Sequence, residues 1–189
     1  MTPAELIAAV ACTVPNAAAW APELTRVMAK YEIDSPMRQA HFLSQVAHES
    51  YSLQRMKERA NPGKIPGAQY EGRRDLGNVE PGDGPRFCGR GPIQFTGCAN
   101  YTWLSKKTGV GYIEQPELLE RIPDGAESAA LYWTLYWTER TKLCDLNTLA
   151  DGDSIGSITR RINGGTTGIE DRTRRLLIAK RALGLPVNR

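Results

Sequence analysis

Apolar residues recur at helical spacing through most of this chain, and one long stretch breaks the rhythm. Between residues 36 and 49, Met37, Ala40, Leu43, Val46 and Ala47 form a single stripe, with Ser35 placed to cap and Pro36 suited to the first turn. Thr2, Pro3 and Glu5 make a capping-box pattern for an earlier helix. Asn16 and Pro22 flank a second start, whose Trp20, Leu24, Val27, Met28 and Tyr31 continue to about Glu32. Further on, a short helix is expected over 100–107, and Gln115-Pro116 with Leu118 and Leu119 predicts another turn. Over 125–140, Ala126, Ala130, Trp133 and Trp137 share one face; the small residues on that stripe assign both tryptophans to the core rather than to sugar stacking. Asp153 is expected to cap a helix carrying Ile155, Ile158 and Ile162, which ends at Asn163-Gly164-Gly165. A last helix spans about 170–183 and closes on Gly184. Nowhere do residues alternate as strands, so the fold class is mainly α.

The exception is 61–91, where eight glycines and four prolines fall in 31 residues. Regular helix is excluded there, and a stretch of that length without its own structure is more often functional than idle. It is expected to wall a cleft.

Length and composition narrow the class. At 189 residues, 41% hydrophobic and 24% charged, the chain reads as one soluble catalytic-sized domain over 1–189, with no linker or internal repeat. No apolar run reaches bilayer length, so membrane insertion is not expected. The Ala-rich start lacks a basic leader and carries Glu5, which makes it a helix rather than a signal peptide. Cys12, Cys88, Cys98 and Cys144 are scattered and read as reduced thiols, with a Cys88–Cys98 bridge as the alternative. His48-Glu49 begins like the zinc signature HExxH, but Ser52 stands where the second histidine is needed. His41 and His48 lie two turns apart, too far to share an ion, so neither a metal nor a cofactor is expected.

The net charge of +3 is unevenly spread. Residues 160–181 hold seven basic and two acidic side chains, a local +5, so the remainder sums to −2. That segment faces either a polyanion such as a cell-wall polymer or simply solvent. No aromatic residues interleave with its arginines, which argues against nucleic acid.

The candidate chemistry lies in Glu49 and Glu58. Glu49 falls off its helix's apolar stripe, beside Gln45 and Phe42, at the margin between core and water. A continuous helix would carry Glu58 roughly 13 Å further along and onto the opposite face. Only a break near Ser50 to Ser52 would fold Glu58 back across a groove from Glu49. From the residues alone two readings stand: solvated helix charges, or the carboxyl pair that glycosidic hydrolysis requires.

Three segments decide between them. The Ala47-His48-Glu49-Ser50 stretch, the run GNVEPGDGPRFCGRGPIQFTGCANY over 77–101, and ITRRINGGTTGIEDR over 158–172 together resemble the family 19 glycoside hydrolases, and more narrowly their bacteriophage endolysin branch. The resemblance covers roughly 35–175 and implies a lysozyme-like or chitinase-like helical domain with the Gly/Pro-rich loop forming the substrate cleft. It implies Glu49 as general acid, Glu58 as general base and Thr96 as a holder of the attacking water. Gln94, Asn100 and Asn163 would line the sugar groove, with Tyr101, His48 and Tyr51 as further substrate contacts. Arg90 would pair with a carboxylate behind the site, and Arg172 would pair inside the domain. Two departures stand out. Tyr51 and Ser52 follow Ser50 where relatives often have paired glycines, and the 61–77 segment is short, which suggests a more open cleft or a reduced second lobe around 60–90.

The function so implied is an endolysin of the muramidase type, cleaving β-1,4 bonds of peptidoglycan by inversion during host lysis. The alternatives are a chitinase and a non-catalytic sugar-binding module. An endolysin without a leader would gather as a monomer in the host cytoplasm, depend on a holin, and reach the periplasm and cell wall at lysis.

Overall fold

The computed structural model describes residues 1–187. Ten α-helices carry the fold, and among the described residues the only β pairing is two isolated antiparallel bridges, Lys57 with Arg90 and Arg90 with Phe95.

Helix α1 (Pro3–Val10) opens with the capping box: the Glu5 amide donates to Thr2 Oγ1, and the Thr2 amide to Glu5 Oε2. Helix α2 (Val14–Lys30) leaves α1 at 105°. It starts earlier than its sequence suggests, because Thr13 caps it and Pro15 occupies its first turn, and it runs on through Pro22. Helix α3 (Pro36–Glu49) is the axis of the molecule. Every residue from Ala40 to Ala47 is buried, so its polar members must find partners inside.

Around it pack α10 (Ile169–Ala182), α1 and α8 (Leu146–Asp151), while α2 lies against α6 (Ile122–Leu131). Phe42 meets Trp133 edge to face at 5.4 Å, and the Trp133 indole donates to Asn147. Trp133 is fully buried and Trp137 nearly so, as their stripe requires. Burying side chains of this kind contributes about 1.5–3 kcal/mol each.

Two expectations need correcting, and the choice left open at the cysteines is decided. The helix over 125–140 is not uniform: α6 begins at Ile122 with Pro123 in its first turn, Tyr132–Tyr136 widen into a π-turn, and α7 (Trp137–Thr141) completes it. Asp153 does not cap α9 (Ile155–Asn163). Its carboxylate instead joins His41 Nε2 at 2.8 Å and Lys180 Nζ at 2.6 Å, satisfying charges buried between α3 and α10. The cysteines are all free, so the Cys88–Cys98 bridge is absent.

The Gly/Pro-rich stretch is ordered by polar contacts rather than by a core. It holds two 3-10 turns (Ala68–Tyr70 and Arg74–Leu76) and the short α4 (Asp83–Arg86), ahead of α5 (Cys98–Thr108). Glu71 accepts from the Gly82 and Gly84 amides, and Asp83 from those of Val79 and Glu80. Buried Asn78 accepts from the Cys98 amide and donates to the Tyr70 carbonyl. Gly67 (φ +81°) must be glycine, since a Cβ there would lie 2.4 Å from the Gly84 oxygen and 2.6 Å from Cys88 Cβ.

Candidate active site

Glu49 is the last residue of α3, and Arg172 on α10 reaches it through the core. The Arg172 side chain is only 2% exposed. One of its terminal nitrogens donates to Gln45 Oε1 and the other to Glu49 Oε1. A guanidinium so desolvated must be paired, so this contact fixes both the carboxyl's position and the α3–α10 packing. Glu49 Oε2 accepts no hydrogen bond among the described residues.

The neighbouring His48 is held from the same helix: its Nδ1 is hydrogen-bonded to Asp171 Oδ2 at 2.7 Å. Asp171 also accepts from Arg174 and, at 2.6 Å, from Arg175. Burial opposes ionisation of Asp171, but the hydrogen bonds from Arg175 and His48 outweigh it and hold its carboxyl at about 2. Gly168 (φ +75°), between α9 and α10, lets that turn close over the imidazole, where a Cβ would lie 2.6 Å from His48 Cε1.

The chain then reverses. Ser50 closes α3 by donating from Oγ to the Val46 carbonyl at 2.5 Å and accepting the Leu53 amide at 2.8 Å. Tyr51, Ser52 and Leu53 follow with φ of 51°, 56° and 63°, three successive left-handed residues and none of them glycine. The break expected at Ser50 to Ser52 is therefore built from side-chain capping, and Asn16 pins it by donating to the Leu53 carbonyl at 2.8 Å.

Beyond the reversal, 56–58 run beside 89–91. The Gly91 amide donates to the Met56 carbonyl, and the Glu58 amide to the Gly89 carbonyl. This pairing presents the Glu58 side chain to the Gly89 amide, which donates to Oε1 at 2.6 Å. Oε2 accepts from Gln69 at 3.2 Å and Tyr70 at 3.3 Å. Burial pushes the Tyr70 hydroxyl up, so it remains a donor at neutral pH. Glu58 thus accepts at both oxygens.

Residues 90–96 form a turn-built wall beside Glu58. Arg90 and Phe95 exchange backbone hydrogen bonds at 3.0 and 2.8 Å around a turn in which Gly91 and Gln94 are both left-handed. Gln94 donates to the Gly91 carbonyl, Thr96 Oγ1 to the Gln94 carbonyl, and Asn100 to the Thr96 carbonyl. Gln94 Oε1 and Thr96 Oγ1 both close on Gly89, where an added Cβ would meet them at 3.0 and 3.2 Å. Those polar groups therefore sit beside the amide that holds Glu58. On the other side, Phe95 packs against Tyr132 and Tyr136 of the π-turn. Burial, then the nearby Tyr136 and Glu49 charges, push the Tyr132 hydroxyl far up, and Tyr136 donates to Asn100 Oδ1 at 3.2 Å. Tyr132 lies near enough to Glu49 to feel its charge, and Phe95, which packs on Tyr132, is followed in the chain by Thr96.

Arg90 lies buried behind this wall, donating to Glu120 at 2.9 Å, to the Arg86 carbonyl and to Tyr101, which is the backing role expected of it. Tyr101 must be withdrawn as a substrate contact: it is wholly buried, and its hydroxyl donates to the Cys88 carbonyl at 2.7 Å. Asn163 ends α9 on the exposed surface, with a long 3.5 Å bond to the Thr167 carbonyl. Tyr51 stands 58% exposed at the reversal. The sequence reading missed Tyr132 and Tyr136 and the direct grip of Arg172 on Glu49. Only the presence of Arg172 in the 158–172 segment hinted at the latter. Among the described residues, no three His, Cys, Asp or Glu side chains are grouped to hold a metal ion.

The helical fold is shared with solved chitinases. Chitinase C from Streptomyces griseus matches all of this chain and 94% of its own with a TM-score of 0.75 at 22% identity. A bacterial family 19 chitinase matches with a TM-score of 0.71 at 16% identity, covering 98% of this chain and 95% of the other. No family model matches the chain. In sequence it is 32% identical over 162 residues to a glycosyl hydrolase family 19 domain-containing protein of Haemophilus influenzae, spanning 72% of this chain and 75% of that one. It is also 32% identical over 128 residues to an endochitinase of Arabidopsis thaliana, spanning 67% of this chain and 39% of the plant protein. The chain belongs to glycoside hydrolase family 19.

Proposed function

We propose that this family 19 enzyme hydrolyses β-1,4 bonds in the glycan strands of bacterial peptidoglycan by inversion and serves as an endolysin. The observation that carries the mechanism is the unlike holding of the two carboxyls. Glu49 is gripped at one oxygen by Arg172, leaving Oε2 to carry a proton to the leaving oxygen. Glu58 accepts at both oxygens, the posture of a carboxylate ready to draw a proton from water. Inversion requires such an acid and base on opposite faces of the sugar, about 6.5–9.5 Å apart, with the water between. Thr96 and Gln94, beside the amide that holds Glu58, position that water, and Asn100 and Asn163 bind sugar amides and hydroxyls.

Peptidoglycan is favoured by the narrower resemblance of the 77–101 and 158–172 segments to phage endolysins. In that role the protein gathers as a monomer in the host cytoplasm and waits for a holin to reach the wall. Chitin is the second reading, favoured by the similarity to an endochitinase. Digestion of purified peptidoglycan and of N-acetylglucosamine hexamer, with the new reducing ends identified by mass spectrometry and their anomeric form by NMR, separates the two. Release of α-anomer products from the first supports the proposal; products from the hexamer alone overturn it in favour of chitin. Glu49→Gln should lower turnover by at least about 100-fold and Glu58→Gln by a similar factor. Unchanged wall clearing by Glu49→Gln would remove Glu49 as the acid, whereas binding of the glycan by the wild type with no turnover on either polymer would leave a sugar-binding module.

A further inference from the structure

A cavity of about 370 Å³ opens one residue from Glu49, lined by His48, Tyr51, Asp171, Arg174 and Arg175. The mechanism makes no use of its charges. Arg175 donates from Nε to Asp171 and from Nη1 to Ser52 at 3.0 Å, while its Nη2 has no protein partner among the described residues. Arg174, 70% exposed, touches Asp171 through one nitrogen and turns the rest of its fork to solvent. At the rim, the Arg55 guanidinium stacks 4.0 Å from the centre of the Tyr51 ring. Two guanidinia, Arg174 and Arg175, therefore converge on one carboxylate, Asp171, while Arg55 stands on the Tyr51 ring. Among the described residues lining the cavity, cations outnumber the single carboxylate.

The backbone favours the same spot. Tyr51 is held outward by a left-handed conformation that costs about 1 kcal/mol or more for a side chain of its size. Such strain, next to an acid, is the mark of a residue positioned for a ligand. A neutral chitin chain offers these cations nothing. A glycan whose alternate sugars carry a lactyl or peptide carboxylate offers each repeat an anion that a planar guanidinium can grip with two parallel bonds.

We infer that the cavity among His48, Tyr51, Arg174 and Arg175 is a carboxylate subsite that takes the acidic branch of the peptidoglycan strand. The inference rests on the proposed peptidoglycan activity and names what selects that substrate over chitin. His48 and the Tyr51 ring supply the walls, Arg174 the exposed grip and Arg175 the anchored one.

The test titrates the intact protein with muramyl dipeptide, which carries a peptide carboxylate, with N-acetylmuramic acid, which carries the free lactyl carboxylate, and with neutral di-N-acetylchitobiose, following His48 and Tyr51 by NMR. Muramyl dipeptide should bind and shift both residues. Arg174→Glu should weaken it about 10-fold or more, and Arg174→Lys, which keeps the charge but loses the fork, should weaken it by less. In steady-state assays Arg174→Glu should raise KM on peptidoglycan relative to KM on the N-acetylglucosamine hexamer and leave kcat in place. Loss on intact strands alone points to a stem-peptide carboxylate; loss that persists on amidase-stripped strands points to the lactyl group. Either supports the subsite. Equal binding by wild type and Arg174→Glu, or equally tight binding of glycerol 3-phosphate, overturns it. Failure of the parent reading looks different: the wild type would leave peptidoglycan intact whatever the titration shows.

Discussion

The two glutamates are held by opposite kinds of structure. Glu49 stands at the end of a helix buried on every side, and its orienting partner, Arg172, comes from 123 residues away through a dry core. Glu58 stands on an extended segment outside the helical frame and is gripped by a glycine amide and by Gln69 and Tyr70 of the loop layer. One wall owes its shape to apolar packing, the other to glycine conformations and hydrogen bonds. The placing of Glu49 should therefore withstand local disturbance until the whole fold fails, whereas that of Glu58 should be lost by changes that leave the fold standing.

The strongest way to break that contrast is Arg172→Met. It removes a buried cation while leaving Glu49 and Gln45 without their partner, and should destabilise by about 3–5 kcal/mol. For a chain of this size, that lowers Tm by roughly 6–20 °C, read by thermal melts. Activity should vanish together with stability. Gly67→Ala comes next. Its Cβ would strike the backbone at Gly84, so the loop layer must shift, at about 2 kcal/mol or less of global stability. Turnover should nonetheless drop about 10-fold or more, because Gln69 and Tyr70 would no longer meet Glu58. An activity loss no larger than the stability loss explains would mean the two walls are not independent.

Asp171→Asn sharpens the comparison through pH. The folded-state value of about 2 lies below the ordinary 3.8, so the ionised Asp171 contributes stability above pH 3.8 that is lost as pH falls toward 2. On the order of 2 kcal/mol is at stake at neutral pH. The variant should melt below the wild type by about 4–8 °C at pH 6 and converge with it near pH 2. A constant gap across that range would show that Asp171 acts through packing alone.

The same division explains what could be read in advance. Helices α3, α5, α9 and α10 were legible from apolar spacing, Ser and Pro starts and Gly stops, and the reversal after Ser50 followed from needing Glu58 near Glu49. The π-turn at Tyr132–Tyr136 was not legible, because its extra residue per turn leaves the tryptophan stripe almost unchanged. Asp153 resembled a cap because capping is local, while its real partners, His41 and Lys180, come from two other helices. Tyr101 looked like a sugar contact from its place in the 77–101 segment. Its burial depends on Arg90 needing an acceptor in the core, a demand set by tertiary packing. The loop layer was legible only as a loop: nothing in the composition of 61–91 says that Glu71, Asn78 and Asp83 will spend their side chains on neighbouring backbone.

The left-handed run from Tyr51 to Leu53 also bears on how a polymer enters and leaves. Each residue there already occupies a narrow basin, and Ser50 and Asn16 lock the carbonyls and amides on either side. With the Leu53 amide and carbonyl both taken, the joint between α3 and the 56–58 segment has little room to flex. Freedom to move should therefore lie in the glycine-rich turns of 61–87, where Gln69 and Tyr70 can part from Glu58 without disturbing Glu49.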